Sequence, residues 1–199
     1  MNSVDIWVDP ICPWAWMTSR WLVEVERLGE VQVQFRVMSL AYLNRNTVMP
    51  PEYSAILTEG WKPVRVLTAA RLQFGPASVR PLYEEMGKRI HLEGRGLEVI
   101  DGVIAEALAA AKLPVALAHA GVEVDEELIR EHHAGMDQVG TEVGTPVISV
   151  GGVAFFGPVV TPAPKGEAAL QLWRGVLLVA NTPGFYEIKR SRDVGPDFS

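Results

Sequence analysis

The chain has 199 residues, of which 48% are hydrophobic and 21% are charged, a composition typical of one compact unit with a sizeable core rather than of a disordered chain. The net charge of −6, without a run of Lys or Arg, argues against nucleic acid as a partner. No apolar stretch approaches the roughly 20 residues that span a bilayer, and residues 1–7 do not resemble a secretory signal. We therefore expect a cytoplasmic protein with no membrane partner.

The first 39 residues predict a strand, a helix and a second strand. Residues 4–8 form a short apolar run that ends at Asp9-Pro10, and residues 15–28 carry apolar side chains at helical spacing. Residues 31–39 alternate between apolar and polar, as in a half-buried strand. Because a crossover helix joins the two strands, we expect them to be parallel.

The middle of the chain predicts only helices, which Pro and Gly separate. The expected helices are residues 51–58, 63–74, 77–91, 97–111 and 125–139. Strands return at residues 145–150 and 153–156, joined by Gly151-Gly152, a link typical of a tight antiparallel hairpin. A final amphipathic helix is expected over residues 166–180 and a short helical turn over residues 185–190.

This order of elements is typical of an α/β thioredoxin-like fold with a helical insertion subdomain. We expect residues 1–43 and 139–199 to form the thioredoxin-like domain and residues 44–138 to form the insertion. In that fold the first strand-to-helix junction meets the start of the third strand. Whether the chain forms a homodimer stays an open question, because the helical subdomain could expose an apolar face although no residue pattern specifies a dimer.

The candidate reactive motif is Cys12-Pro13-Trp14-Ala15. Cys12 is the single cysteine, so it cannot form an internal disulfide or a thiolate zinc site. At the start of a helix, free N–H groups and the helix dipole favour an anion, which predicts a lowered thiol pKa and a nucleophilic thiolate. Pro13 suits the first helical turn, and Trp14 is expected to be exposed and to stack on a ligand. The alternative is an inert buried cysteine.

A second candidate feature is Thr145-Pro146, which precedes the third strand. We predict a cis peptide bond that faces Cys12 and leaves the backbone of Thr145 available to an extended thiol substrate. The alternative is a trans proline on an edge strand.

The remaining aromatic and polar residues give weaker signals. His132 and His133 are adjacent, point to different faces of a helix and have no third ligand nearby, so we expect surface positions and no metal. The glycines form neither a dinucleotide motif nor a phosphate loop, which argues against nucleotide and flavin cofactors. Four tryptophans are expected in the core: Trp7, Trp16, Trp21 and Trp173.

Several further stretches of the sequence resemble those of one known family. They are FRVMSLAYLN at 35–44, GWKPVRV at 60–66, PLYEEMGKRIH at 81–91, HHAGMDQVG at 132–140, Gly144 to Pro146 and VAFFGP at 153–158. With Cys-Pro-Trp, they resemble the DsbA-type thioredoxin-fold family that includes the mycothiol-dependent nitroreductases. The resemblance implies a cytoplasmic enzyme, monomeric or dimeric, that uses the sugar thiol mycothiol as cosubstrate. It implies small-molecule substrates such as disulfides, peroxides and nitro compounds.

The resemblance also implies that the insertion forms one wall of a cleft over Cys12. Asn44, Trp61 and His91 are the candidate binding residues on that wall. For His91 the alternative is a helix-terminal histidine whose charge the dipole stabilises.

The chain departs from the family at one position, since Ala15 stands where the family usually has a second cysteine. Without that resolving thiol, turnover has to pass through a mixed disulfide that a second small thiol resolves. The sequence therefore predicts a monothiol oxidoreductase. A kappa-type thiol transferase or chromene-carboxylate isomerase is the first alternative, in which the residue at the helix start only activates a bound thiol. A non-catalytic ligand-binding or chaperone-like domain is the second.

Overall fold

The computed structural model describes residues 2–140 and 142–199. The strands of its sheet are β1 Asn2–Val8, β2 Val31–Val37, β3 Val147–Val150 and β4 Val153–Phe156. The α-helices are α1 Pro13–Arg27, α2 Leu40–Leu43, α3 Pro51–Phe74, α4 Val79–Gly87, α5 Ile100–Ala110, α6 Asp125–Met136 and α7 Gly166–Ala180. Short helical turns of other types are Pro76–Ser78, Lys88–Leu92, Leu97–Val99, Val115–His119 and Val122–Val124. This is the mixed α/β architecture that the sequence predicts.

The sheet has the strand order β2-β1-β3-β4. β1 and β2 are parallel, as the crossover helix predicts, and β1 pairs with β3 in antiparallel fashion. β3 and β4 form the expected hairpin, in which Gly151 and Gly152 have φ values of 61° and 83°. Positive φ at both central residues is the signature of a type I′ turn and explains the two glycines. The start of β3 therefore lies beside the end of β1.

Helices cover both faces of β1. Ile6 and Val8 are completely buried on the face that carries α1, where Trp21 packs against Trp173 of α7 with ring centroids 6.1 Å apart. Trp7 points to the other face and donates a hydrogen bond from its indole nitrogen to the carbonyl of Glu131 in α6 (3.0 Å). One continuous cluster of buried side chains joins the sheet to the inserted helices. The division at residues 44 and 138 therefore stays a prediction.

Three predicted helical segments differ from the structure. The separate helices at 51–58 and 63–74 form one helix, α3, with Pro63 inside it. Pro63 and its neighbour Val64 are buried, so packing outweighs the backbone hydrogen bond that proline removes. The helical turn expected at 185–190 is absent, since Tyr186 and Ile188 are 93% and 76% exposed and no packing stabilises so short a helix.

The expected helix at 77–91 is divided in the structure. It begins with a 3-10 turn at Pro76–Ser78, continues as α4 and ends in a π-helical turn at Lys88–Leu92. That last turn carries His91 towards α1.

Among the helices formed by the described residues, none combines the length and apolar composition needed to cross a bilayer.

Candidate thiol active site

Cys12 is the N-cap residue of α1. Its sulfur accepts a hydrogen bond from the backbone N–H of Ala15 (3.4 Å), which meets one of the free donors at the start of the helix. Its thiol also donates to the carbonyl of Thr145 (3.6 Å). The sulfur thus joins the start of α1 to the segment before β3, as the sequence predicts for these two regions.

The segment before β3 is fixed on both sides. The Thr145–Pro146 peptide bond is cis, as predicted. The Thr145 hydroxyl donates to the carbonyl of Trp7 in β1 (2.7 Å), and the carbonyl of Pro146 accepts from the N–H of Gly157 (2.8 Å). Thr145 is only 5% exposed. Its carbonyl therefore has a defined position beside the sulfur, while its role in binding substrate stays a prediction.

The protonation state of Cys12 differs from the prediction. Cys12 is 6% exposed, and burial raises the pKa of its thiol to about 12. The N–H groups of Ala15 and Trp14 oppose this rise, whereas the carboxylate of Asp9 adds to it. The expectation of a lowered pKa is therefore wrong for this state, because the loss of hydration exceeds the stabilisation that the helix start provides. The thiol is neutral at neutral pH.

Asp9 is a site residue that the sequence analysis missed. Its side chain is completely buried, and its two oxygens accept hydrogen bonds from the N–H groups of Ile11 (3.0 Å) and Leu40 (2.7 Å). Burial raises the pKa of this carboxyl group to about 7, although both hydrogen bonds oppose the rise. An Asp-Pro pair after a strand is typical of a turn, so only the structure shows that Asp9 fixes the loop leading to Cys12.

His91 supports the same loop from the side of α4. Its Nε2 atom is 2.9 Å from the carbonyl of Pro10, to which the ring donates, and the ring packs near Trp16 with centroids 5.7 Å apart. Burial lowers the pKa of His91 to about 4. The alternative of a dipole-stabilised histidine cation is therefore wrong, because the ring is neutral at physiological pH. Its role in substrate binding stays a prediction.

The other two candidates on the insertion both contact residues of α2. The Asn44 amide donates to the carbonyl of Leu40 (2.8 Å) and so completes the end of α2. Trp61 in α3 packs edge-on against Tyr42, with ring centroids 6.4 Å apart. Their binding roles also stay predictions.

The inserted helix α3 approaches the Cys12 loop closely. A Cβ atom at Gly60 would lie 2.7 Å from the Cδ1 atom of Ile11, so glycine allows this approach. On the first turn of the same helix, burial raises the pKa of the Tyr53 phenol, and the charges of Cys12 and Asp9 add to the rise. Tyr53 is thus a neighbour of the thiol that no sequence motif indicated.

The predicted burial of the histidine pair and of the tryptophans is confirmed for some of these residues and wrong for others. His133 lies at the surface as predicted, but His132 is only 2% exposed and its Nδ1 atom accepts a hydrogen bond from the N–H of Ser39 (3.2 Å). Trp14 is half-buried rather than exposed, and the guanidinium of Arg192 lies 5.0 Å from its ring centroid. The four predicted core tryptophans are all 5% exposed or less.

Known proteins resemble the chain over nearly its whole length. An uncharacterised protein of Mycobacterium tuberculosis, Rv2286c, is 27% identical over 194 residues, which cover 96% of this chain and 83% of that protein. The structure of a probable DsbA oxidoreductase from Streptomyces coelicolor, SCO1869, matches with a TM-score of 0.59 and 18% identity over 99% of this chain and 97% of that one.

Two further solved structures share the fold. The cytosolic disulfide reductase DsbM from Pseudomonas aeruginosa matches with a TM-score of 0.54 and 14% identity, covering 88% of this chain and 99% of that one. A 2-hydroxychromene-2-carboxylate isomerase matches with a TM-score of 0.56 and 14% identity, covering 88% of this chain and 93% of that one. These likenesses confirm the DsbA-type thioredoxin fold.

The comparison with protein families covers the thiol site and the inserted helices together. Residues 11–190 match the Rv2466c-like family, described as mycothiol-dependent nitroreductase Rv2466c. The match begins one residue before Cys12 and includes the cis bond at Thr145–Pro146. The chain therefore belongs to the Rv2466c-like family of DsbA-type oxidoreductases.

Proposed function

We propose that this chain catalyses thiol–disulfide exchange through the single sulfur of Cys12, with mycothiol as cosubstrate and the cytoplasm as location. The observation that carries the proposal is the position of the sulfur at the start of α1, between the N–H of Ala15 (3.4 Å) and the carbonyl of Thr145 (3.6 Å). Membership of a family named for mycothiol dependence supports the choice of thiol.

The reaction has two exchange steps. The Cys12 thiolate attacks the mycothiol sulfur of a mixed disulfide, the old S–S bond breaks, and the substrate leaves as a thiolate that takes up a proton. A second mycothiol thiolate then attacks the mycothiol sulfur bound to Cys12. This step forms mycothiol disulfide and restores the Cys12 thiolate. In sum, one mixed disulfide and one mycothiol give one free substrate thiol and one mycothiol disulfide.

The first step requires that the buried thiol lose its proton. Because burial is the largest cause of the high pKa of Cys12, water or substrate that reaches the sulfur lowers that pKa. The N–H groups of Ala15 and Trp14 then remain to stabilise the thiolate. The resting site is therefore protected from indiscriminate oxidants and becomes reactive when it is opened.

Small electrophiles such as nitro compounds are the second substrate class of the proposal. Reduction of a nitro group to a nitroso group takes up two electrons and two protons and releases water. Two thiols supply the two electrons and two protons when they are oxidised to a disulfide. Because Ala15 occupies the position of the second cysteine, one of these thiols is Cys12 and the other is mycothiol. Each turnover then leaves a mixed disulfide on Cys12, which mycothiol resolves as in the exchange reaction.

The second candidate function is a kappa-type thiol transferase or isomerase. The neutral state of Cys12 favours it, since a neutral thiol at the start of a helix can donate to, and so activate, the thiolate of a bound cosubstrate. In that reaction no disulfide forms on the protein. Serine can make the same hydrogen bond, so Cys12→Ser should keep this activity and abolish exchange.

The test is a turnover assay on a mixed disulfide of mycothiol with a chromogenic thiol. We expect release of the chromogenic thiol to depend on both the protein and free mycothiol, and to fall at least about 1000-fold in Cys12→Ser. Serine is a good N-cap residue, so the thermal unfolding midpoint of this variant should stay close to that of the original chain. Undiminished release by Cys12→Ser would reject the proposal. Conjugation of mycothiol to an electrophile by that variant would favour the second candidate.

A further inference from the structure

The C-terminal residues return to the thiol site after α7 ends. Residues 181–195 are exposed and form neither helix nor strand. Beyond them, the N–H of Asp197 donates to the hydroxyl of Thr161 (2.6 Å), and the ring of Phe198 stacks on His91 with centroids 5.6 Å apart and planes 25° apart. We call residues 191–199 the C-terminal strap.

The strap contacts both sides of the Cys12 loop. On one side the Arg192 guanidinium lies over the ring of Trp14, two residues after Cys12. On the other side Phe198 stacks on His91, which donates to the carbonyl of Pro10, two residues before Cys12. The positive charge of Arg192 is also close enough to favour the thiolate of Cys12. Two independent contacts therefore place the strap against residues on either side of Cys12.

Phe198 also forms part of the wall of a cavity beside α1. It lines a cavity of about 280 Å³ together with Trp16, Arg20 and Leu92. Phe198 is partly buried, whereas most of the strap is exposed. A partly buried ring whose neighbours in the chain are mostly exposed is typical of a weakly held anchor that can be released.

We propose that the C-terminal strap determines the substrate class of Cys12, admitting small thiols and disulfides and excluding the disulfides of folded proteins. This inference rests on the proposed function for its substrates. Cys12 is 6% exposed in the structure, in which the strap lies against Trp14 and His91 on either side of the Cys12 loop. We expect a slim reagent to reach the sulfur with little displacement of the strap, and a protein disulfide to require the space that Arg192 and Phe198 occupy. The family match ends at residue 190, so the strap lies outside the matched residues.

The test compares alkylation of Cys12 by N-ethylmaleimide and by the same maleimide on a large polyethylene glycol chain. Since Cys12 is the single cysteine, each rate reports on this sulfur alone. Phe198→Ala and Arg192→Glu should each raise the ratio of the large-reagent rate to the small-reagent rate about 5- to 10-fold, the change expected for loss of one aromatic contact. Tyr186→Ala is the control, because Tyr186 is a C-terminal aromatic residue that is 93% exposed. Its ratio should not change.

The outcomes separate this inference from the proposed function. An unchanged ratio in both Phe198→Ala and Arg192→Glu would reject the proposed role of the strap, even if mycothiol turnover is intact. A raised ratio without mycothiol turnover would support the proposal that the strap controls access to Cys12 and would reject the proposed reaction. A rise of equal size in Tyr186→Ala would also overturn it, because the effect would then belong to any change in the C-terminal residues.

Discussion

The two sides of the thiol site are built differently. The loop from Asp9 to Cys12 and the segment Thr145–Pro146 are held by buried hydrogen bonds, and the Asp9 and Thr145 side chains are 0% and 5% exposed. The C-terminal strap is mostly exposed and is held by aromatic contacts to Trp14 and His91. The buried side therefore fixes the position of the sulfur and raises its pKa, whereas the proposed role of the strap is to select the molecules that reach it.

The largest expected effect on the buried side comes from Ala15→Cys. The N–H of Ala15 is already 3.4 Å from the Cys12 sulfur, so a thiol on residue 15 should lie close enough to form a disulfide across the first turn of α1. Mild oxidation should then convert the variant completely to the internal disulfide, measured as loss of both free thiols without a dimer. Two thiols that stay free under oxidant would show that the side chains are not placed as described.

The second prediction concerns the pH dependence of alkylation. With a Cys12 pKa of about 12, the folded chain should react with iodoacetamide at pH 8 at least about 100-fold more slowly than a free cysteine, whose pKa is about 8.5. The rate should rise about tenfold per pH unit up to pH 10. The urea-unfolded chain serves as control and should titrate as a free cysteine. A plateau of the folded-state rate below pH 9 would contradict the raised pKa.

The same pKa has a consequence for stability. Because the folded thiol has the higher pKa, the folded state binds more protons than the unfolded state above about pH 8.5. The contribution of Cys12 to the free energy of unfolding is therefore complete below about pH 8.5 and is lost as the pH rises towards 12. Denaturant titrations of the original chain and of Cys12→Ser should diverge only in this alkaline range.

The third prediction tests how closely α4 supports α1. A Cβ atom at Gly87 would overlap the indole ring of Trp16, so Gly87→Ala should lower the free energy of unfolding by about 1–3 kcal/mol. Gly102→Ala is the matched control in the exposed part of α5, where the nearest atom is Arg95 Nη2 at 3.7 Å. It should raise stability by up to about 1 kcal/mol. Equal effects of the two variants in denaturant titrations would contradict the packing.

The smallest expected effect is that of Asp9→Asn. Removal of this charge should lower the pKa of Cys12 and raise its alkylation rate at pH 8.5 roughly 3- to 10-fold. Asp5→Asn is the control, because Asp5 lies on β1, before the loop that contains Asp9, and pairs with Arg36 (2.7 Å). An unchanged rate in Asp9→Asn would mean that the Asp9 charge does not act on the sulfur.

Local sequence signals predicted the frame of the site. The order of strands and helices around Cys12 was predicted from three local signals: the alternation in 31–37, the two glycines of the hairpin and the proline at the start of α1. The bounds of α7 and the cis bond at Thr145–Pro146 were also confirmed. Apart from the cis bond, which was expected from the fold as a whole, these features depend on neighbours in the chain, which is why a sequence pattern carries them.

The features that the sequence missed depend on distant contacts. The pKa of Cys12 follows from how deeply neighbouring elements bury it, which no local motif encodes. The role of Asp9 depends on Leu40, and that of His91 depends on a π-helical turn that reaches Pro10. The sequence does not show that the strap lies at the site, because the contact between its anchor, Phe198, and His91 forms only in the folded chain.

The most direct test of the central claim is the intact mass of the protein after incubation with oxidised mycothiol. We predict one mycothiol adduct per chain, located on Cys12 by peptide mapping and removed by added free mycothiol. A chain whose mass does not change, although its cysteine is alkylated on unfolding in urea, would contradict exchange through this sulfur.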